Sequence, residues 1–386
     1  MPEHSPEVSF VLPCLDEAET LEACILAIQE GIASGGLDAE IIVADNGSTD
    51  DSRLIAERVG ARVVPIAARG YGNALMGGFD AARGRFLIMG DADESYDFRE
   101  SLPMVDALRA GADMVMGSRI RGKIEKGAMP WLHRWVGNPV LSFIGRLLFR
   151  TPVSDFHCGM RAITKKAYQQ LGLRTAGMEF ASEMVVKAAA RGLQIAEVPI
   201  TLHPDGRSRA PHLRTWRDGW RHLRFMMVLS PRWSLFVPGV ALTLIGVAGV
   251  GALSLGPVTL GRVVFDVHTM VVASLLVVVG YQAVGVAIAA RIFAVEEEIG
   301  PPAPWMQRAY GFFTLERGIL GGLVLTVLGS GLIGGPALGW ADAGFGELDP
   351  RVTLRPVILG ATLAAVGMQT LALSFVYSML GIRRKR

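Results

Sequence analysis

Phe86-Leu87-Ile88-Met89-Gly90-Asp91-Ala92-Asp93-Glu94 is the stretch that decides the fold. Four consecutive apolar residues end at a glycine and two carboxylates one residue apart. A short, wholly apolar run with such a boundary predicts a strand, with Asp91 and Asp93 at its end. Outward from it, Val8 to Leu12, Glu40 to Ala44, Arg62 to Pro65 and Met114 to Met116 also read as strands. Helical patterns near Ala18 to Ile32, Ser52 to Val59, Gly72 to Ala82 and Phe98 to Arg109 alternate with them. The alternation predicts an α/β domain, a largely parallel sheet covered by helices, with ligands bound beyond the carboxyl ends of the strands.

Two further strand ends are polar: Pro13-Cys14-Leu15-Asp16-Glu17 and Asp45-Asn46-Gly47-Ser48-Thr49-Asp50. Three acidic strand ends are therefore expected to line one crevice, although Asn46-Gly47-Ser48 equally suits a turn and helix cap. Asp91 and Asp93 repel each other unless a cation lies between them. Mg2+ or Mn2+ meets that need and keeps open positions for substrate phosphates. A dinucleotide fingerprint is excluded, because Gly70-Tyr71-Gly72 does not follow the first strand and Leu75 stands at the third glycine position. No GxxxxGK[ST] phosphate loop occurs.

The second half is of a different kind. Of 386 residues 19% are charged, below the quarter common in soluble chains, and most of the charge precedes Arg232. Trp233 to Gly261, Val267 to Ala290, Gly318 to Ala341 and Pro356 to Ile382 contain no Asp, Glu, Lys or Arg. Each exceeds the roughly 20 residues that span a bilayer as helix. The expected organisation is a cytosolic domain over 1–210, an amphipathic interfacial helix over 211–232, and a transmembrane domain over 233–382. Its spans are expected near 233–255, 267–290, 318–340 and 356–380, followed by a basic tail at 383–386. In the interfacial segment Trp216, Trp220, Leu223 and Met227 share one helical face beside Arg214, Arg217, Arg221 and Arg224, a pattern suited to membrane lipids. With both termini cytosolic, twelve basic residues flank the inner ends of the spans and three, Arg262, Arg351 and Arg355, the outer ends. Residues 1–7 lack the blocks of a signal peptide. Cys14, Cys24 and Cys158 form no CxxC pair and suit a reducing compartment. The net charge of +2 and the absence of zinc-finger spacing exclude a nucleic-acid partner.

Taken in order, Val11-Leu12-Pro13 with Glu17, Val43-Ala44-Asp45-Asn46-Gly47-Ser48, Gly90-Asp91-Ala92-Asp93, Gly117-Ser118-Arg119, Asp155 with Gly159-Met160-Arg161, Glu179-Phe180 with Glu183, and Glu197-Val198-Pro199 resemble the family 2 glycosyltransferases of GT-A fold. Within them the likeness is to polyprenyl-phosphate and dolichol-phosphate glycosyltransferases, and covers residues 8–230. The resemblance implies that Pro13, Leu15, Glu17, Asp45, Asn46, Gly70 and Asp91 bind the nucleotide and that Asp91 and Asp93 bind metal. Glu94 and Ser95 are both open as a further ligand, since the glutamine often found two residues past the pair is Ser95 here. Arg119 and Arg134 would act at the diphosphate and acceptor phosphate, with Asn138, His203, Arg207 and Arg209 as further phosphate or acceptor residues. Gly206-Arg207-Ser208-Arg209 is similar to the family's Gly-Glu-Ser-Lys segment, and the arginine preceding that segment falls on His203, which makes Arg207 its candidate replacement.

A phosphate monoester is already a nucleophile near neutral pH. The expected reaction is therefore metal-dependent, inverting transfer of a hexose to polyprenyl (undecaprenyl) phosphate at the cytosolic face of a bacterial inner membrane, without a general base. Met89 to Phe98 and Gly177 to Glu183 resemble a bacterial subgroup described as dolichol-phosphate glucose synthases, which favours UDP-glucose; GDP-mannose is the alternative. A processive polysaccharide synthase would carry Gln-x-x-Arg-Trp, but Trp131 and Leu229 stand at the glutamine position. A non-catalytic scaffold would not need Asp91 and Asp93. Expected partners beyond substrates are a second copy of the chain, a flippase and an outward-facing lipid-sugar transferase.

Overall fold

The computed structural model describes residues 5–208, 215–296, 314–342 and 344–381, apart from the side chains at 215, 216, 218 and 351. The chain divides into two compact units, Met1–Met226 and Met227–Arg386.

The first unit is built on a seven-stranded sheet: β1 (Val8–Cys14), β2 (Ala39–Asp45), β3 (Arg62–Pro65), β4 (Phe86–Met89), β5 (Met114–Ile124), β6 (Arg161–Thr164) and β7 (Ile195–Leu202). Their order is β3-β2-β1-β4-β6-β5-β7. β1 runs parallel to both β2 and β4, pairing Cys14 with Asp45 and Val11 with Met89. Parallel register brings the three polar strand ends to one edge, as the sequence predicts. β4 and the central part of β1 are buried, which explains their unbroken apolar runs. Phe10 meets Phe98 edge to face with ring centroids 6.4 Å apart, joining the sheet to the helical turn Phe98–Ser101.

Around the sheet lie α1 (Leu21–Gly35), α2 (Ser52–Arg58), α3 (Tyr71–Ala81), α4 (Leu102–Arg109), α5 (Asn138–Phe149), α6 (Lys165–Leu171) and α7 (Phe180–Ala190), followed by α8 (Thr215–Leu229). β6 is antiparallel to β4 and β5. It carries Arg161, which is fully buried. Burial lowers its pKa, but its guanidinium donates to the carbonyls of Cys158 at 2.7 Å, Phe156 at 3.2 Å and Ala181, so no donor is stranded in the core. Arg161 thereby ties the 156–158 loop and α7 to the sheet.

Among the described residues the second unit contains four helices long and apolar enough to cross a membrane: Arg232–Ser254, Val267–Glu296, Leu315–Asp342 and Val352–Leu380. A short hairpin, Val258–Leu260 with Val263–Phe265, joins the first two. Close approach of the third and fourth spans depends on glycine: a Cβ at Gly329 would lie 2.5 Å from the Gly360 carbonyl oxygen. The second and fourth spans are joined by polar contacts, Ser274 to Thr362 at 2.6 Å, Tyr281 to Thr370 at 2.7 Å, and the Tyr377 hydroxyl donating to the Gly285 carbonyl at 2.9 Å.

Candidate active site

Each acidic strand end is fixed by a different local device. Beyond β2, the buried Asp45 carboxylate accepts from the backbone N–H groups of Gly47 and Ser48 at 3.2 and 3.0 Å, a turn natural to a short acidic side chain. Arg53 of α2 completes its shell at 2.7 and 2.5 Å. Burial would raise the pKa of Asp45, but the donors of Ser48, Arg53 and Gly47 outweigh it and hold the carboxyl below its ordinary range. Asn46 is committed to the next loop: its amide donates to the carbonyls of Ile66 and Ala68, and its oxygen accepts from Gly70 N–H at 2.7 Å.

Gly70 has φ +130°, and a Cβ there would meet the Ala176 carbonyl oxygen at 2.3 Å. A side chain would thus be excluded by both conformation and space. Gly72 N–H donates to that same carbonyl at 2.9 Å. This contact sets the start of α3 so that the Tyr71 hydroxyl donates to Asp91 Oδ1 at 2.9 Å.

Burial and the charge of Asp93 push the Asp91 carboxyl well above the usual carboxylate range. Asp93 accepts from the Ser95 backbone at 3.1 Å and from its hydroxyl at 2.5 Å, so Ser95 closes the turn on Asp93. Glu94 adopts φ +61°, and its carboxylate lies against Gly206. Glu17 is buried, with its N–H bonded to the Ser52 hydroxyl at 2.9 Å, while Pro13, the penultimate residue of β1, pairs with Ala44, and the chain leads through Leu15 to Glu17.

Arg207 brings this cluster its positive charge. Its guanidinium reaches Asp93 Oδ2 at 2.8 Å, Glu17 Oε1 at 3.2 Å and Asp205 Oδ2 at 2.5 Å, with 10% of the side chain exposed. Burial disfavours that charge, but the surrounding carboxylates outweigh it and hold the pKa above the ordinary arginine value. The His203 side chain instead meets Glu125, with Nδ1 3.1 Å from Oε2. Arg209 falls outside the described residues. Asp205 and Tyr71 were not singled out by the sequence; the Asp205-x-Arg207 spacing was the available signal for the first.

A second patch centres on Arg119. Asp155 accepts from its backbone N–H at 3.0 Å and from two guanidinium nitrogens at 2.7 Å each. Burial works against the Arg119 charge, and Asp155 more than compensates, so the guanidinium is a fixed cation. It lines a groove of about 450 Å³ shared with Arg134, Asn138, Ser142 and Arg146. These four recur every fourth residue along the helical turn His133–Gly137 and α5, forming one stripe. Val136, Val140, Phe143 and Leu147 on the same segment are exposed. The segment thus carries a cationic stripe and an apolar one. Asp155 to Gly159 connects the patches: Asp155 holds Arg119, while a Cβ at Gly159 would lie 2.7 Å from Asp91 Oδ2.

Among the described residues no three His, Cys, Asp or Glu side chains form a metal cage. Two hard carboxylates at a strand end, one raised in pKa by burial and by the other's charge, fit a divalent ion that completes its shell with water and substrate oxygens.

A model described as glycosyl transferase family 2 matches residues 9–172. The hexosyltransferase Agl6 of low-salt glycan biosynthesis in Haloferax volcanii is 36% identical over 381 residues, spanning 98% of this chain and 90% of the relative. The chain belongs to glycosyltransferase family 2. The model of the family 2 C-terminal transmembrane region matches residues 288–381. This family 2 enzyme is therefore a membrane protein with a GT-A catalytic unit and an all-helical C-terminal region. A dolichyl-phosphate hexose transferase of the same archaeon is 31% identical over 196 residues, 50% of this chain and 82% of the relative. Glucosyl-3-phosphoglycerate synthase of Mycobacterium tuberculosis, solved with Mn2+, UDP and glucosyl-3-phosphoglycerate, is 24% identical over 58% of this chain and 78% of that one, with a TM-score of 0.44.

Proposed function

We propose that this glycosyltransferase moves glucose from UDP-glucose to polyprenyl phosphate, inverting the anomeric centre, at the cytosolic face of a bacterial inner membrane. The observation that carries the reading is the stripe of Arg134, Asn138, Ser142 and Arg146 beside an exposed apolar stripe, connected by Asp155 to Gly159 with the acidic cluster. A phosphate head on a long apolar tail matches that pairing of surfaces. The name of the dolichyl-phosphate hexose transferase relative supports the same acceptor class.

A phosphate monoester carries about −1.5 to −2 charge at pH 7 and needs no base to become nucleophilic. The chain's task is to bring two anions together and align them. Arg119, immobilised by Asp155, supplies a preorganised donor. Arg134 and Arg146 have no carboxylate partner among the described residues and are available to the acceptor phosphate. Asn138 adds a neutral donor from the same stripe. Pro13, Leu15, Glu17, Asp45 and Gly70 border the donor side, and the phosphate oxygen approaches the anomeric carbon opposite the departing diphosphate. Asp91 and Asp93 would hold Mg2+ or Mn2+, which when bound neutralises charge on the diphosphate leaving group. The bias of basic residues towards the inner flanks of the spans supports the cytosolic placement.

The test uses purified full-length protein, undecaprenyl phosphate, a divalent metal and a panel of labelled UDP and GDP sugars. Glucose label should move into chloroform, and Asp93→Asn should stop it. Label that stays in water for every donor refutes the acceptor assignment; transfer from GDP-mannose alone refutes the donor.

A further inference from the structure

The acidic cluster already holds a cation of the chain's own. Arg207 sits on the same Asp93 carboxylate that the proposed metal would use, and its second terminal nitrogen reaches Glu17, 190 residues away in sequence. We propose that Arg207 is a built-in counter-cation that occupies the donor site in its metal-free state, that Asp205 positions it there, and that a divalent cation takes Asp93 from it when a nucleoside diphosphate binds. This rests on the reading of Asp91 and Asp93 as metal ligands.

Three features carry the inference. First, Arg207 is enclosed and fully engaged, with 10% of its side chain exposed and Asp93, Glu17 and Asp205 around one guanidinium. Its charge offsets the mutual repulsion of the neighbouring carboxylates Glu17, Asp91 and Asp93. Second, the backbone bearing Arg207 is tied to the metal loop itself. Gly206 N–H donates to the Asp93 carbonyl at 3.0 Å, His203 N–H to the Ser95 carbonyl at 3.0 Å, and Ser208 bonds through N–H and hydroxyl to Glu19 at 2.7 and 2.6 Å. Those ties leave Arg207 free to change partners by side-chain rotation while the strap stays in place. Third, Asp205 grips Arg207 independently of Asp93: Oδ1 accepts from the Arg207 backbone and Nε at 2.9 Å each, and Oδ2 from Nε at 3.0 Å and a terminal nitrogen at 2.5 Å. An arginine displaced from Asp93 therefore remains at the rim of the cluster, where an incoming diphosphate offers new acceptor oxygens.

The consequence is thermodynamic coupling. A metal ion alone has to displace the guanidinium uncompensated, whereas metal and nucleotide together give it new partners. Each ligand then strengthens the other by the same factor.

Mn2+ binding to the full-length protein in detergent, measured by titration calorimetry and electron paramagnetic resonance with and without UDP, tests this. In the wild type, Mn2+ should bind at least tenfold more tightly with UDP than without. Arg207→Gln should bind Mn2+ at least tenfold more tightly than the wild type in the absence of UDP and lose most of the UDP-dependent gain. Arg207→Lys, which keeps a charge, should retain the wild-type pattern. Arg207→Met, which keeps the apolar stem, provides a second neutral variant, and a Mn2+-induced rise in melting temperature larger than that of the wild type shows it folded and binding. Neutral variants with unchanged Mn2+ affinity, while the wild type still binds Mn2+ with UDP, would overturn the counter-cation. A wild type that binds no Mn2+ even with UDP would overturn the metal reading beneath it.

Discussion

Replacing Asp155 by asparagine should separate the architectural role of the Arg119 pair from its chemical one. The pair is almost wholly enclosed, with side-chain exposures of 9% for Arg119 and 1% for Asp155, and Asp155 accepts three hydrogen bonds from Arg119. Asp155→Asn keeps the shape but leaves the guanidinium charge in the core without its counter-ion. Breaking one side of a buried pair costs about 3–5 kcal/mol. For a unit of this size each kcal/mol moves the melting midpoint by roughly 2–4 °C, so even the lower bound predicts a fall of about 6–12 °C. The readout is thermal challenge in detergent followed by brief proteolysis, with the catalytic-unit fragment quantified so that the membrane helices do not dominate the signal. Arg119→Met combined with Asp155→Leu, which removes both charges, should regain most of that stability and none of the transfer activity. A single variant melting within about 2 °C of wild type would refute the argument, because Asp155 would then not be balancing a buried charge.

Arg134→Ala and Arg146→Gln should each raise the KM for polyprenyl phosphate about tenfold while leaving the nucleotide-sugar KM near wild type, the loss expected of one charge-assisted contact of about 1.4 kcal/mol; a selective change in donor KM would contradict their place in the groove. Gly70→Ala should destabilise the unit by more than about 1 kcal/mol in urea denaturation, since the new methyl would meet the Ala176 carbonyl at 2.3 Å and the residue would keep φ +130°. Glu183 supplies a pH dependence. Burial raises its pKa, but the Lys187 ammonium and the donors of Thr175 and Arg174 outweigh burial and lower it overall. Its contribution is therefore present above the unfolded glutamate pKa of about 4.3 and lost as pH falls through the folded value. Glu183→Gln should flatten this part of the stability profile, and an unchanged acid limb would refute it.

The sequence conveyed the middle of the sheet well. Phe86 to Met89 matches β4, because a strand buried inside the sheet leaves an uninterrupted apolar run, and Arg62 to Pro65 matches β3, a mostly half-buried strand at the sheet edge. β5 extends to Ile124, well past the expected Met116, because Lys123 and Ile124 pair with Thr201 and Leu202 across an irregular register that polar side chains do not reveal. β6 was hidden by its first residue, Arg161, a charge made tolerable in the core by three carbonyls that the sequence does not bring together. At the site, Asp45, Asp91, Asp93, Arg119, Arg134 and Arg207 were legible from motif position. The Arg207 contact with Glu17 was not, because only tertiary structure joins residues so far apart. Arg146 and the apolar stripe at Val136, Val140, Phe143 and Leu147 did have a readable signal in their helical spacing.

The polar contacts between the second and fourth spans have a mechanical meaning. Ser274 and Tyr281 stand seven residues apart on one helix, and their partners Thr362 and Thr370 eight apart on the other. Sliding either helix by one turn, about 5.4 Å, would strip both contacts at once in a medium with no water to replace them. The two spans are keyed like splined shafts, able to tilt as a pair but resistant to piston-like displacement.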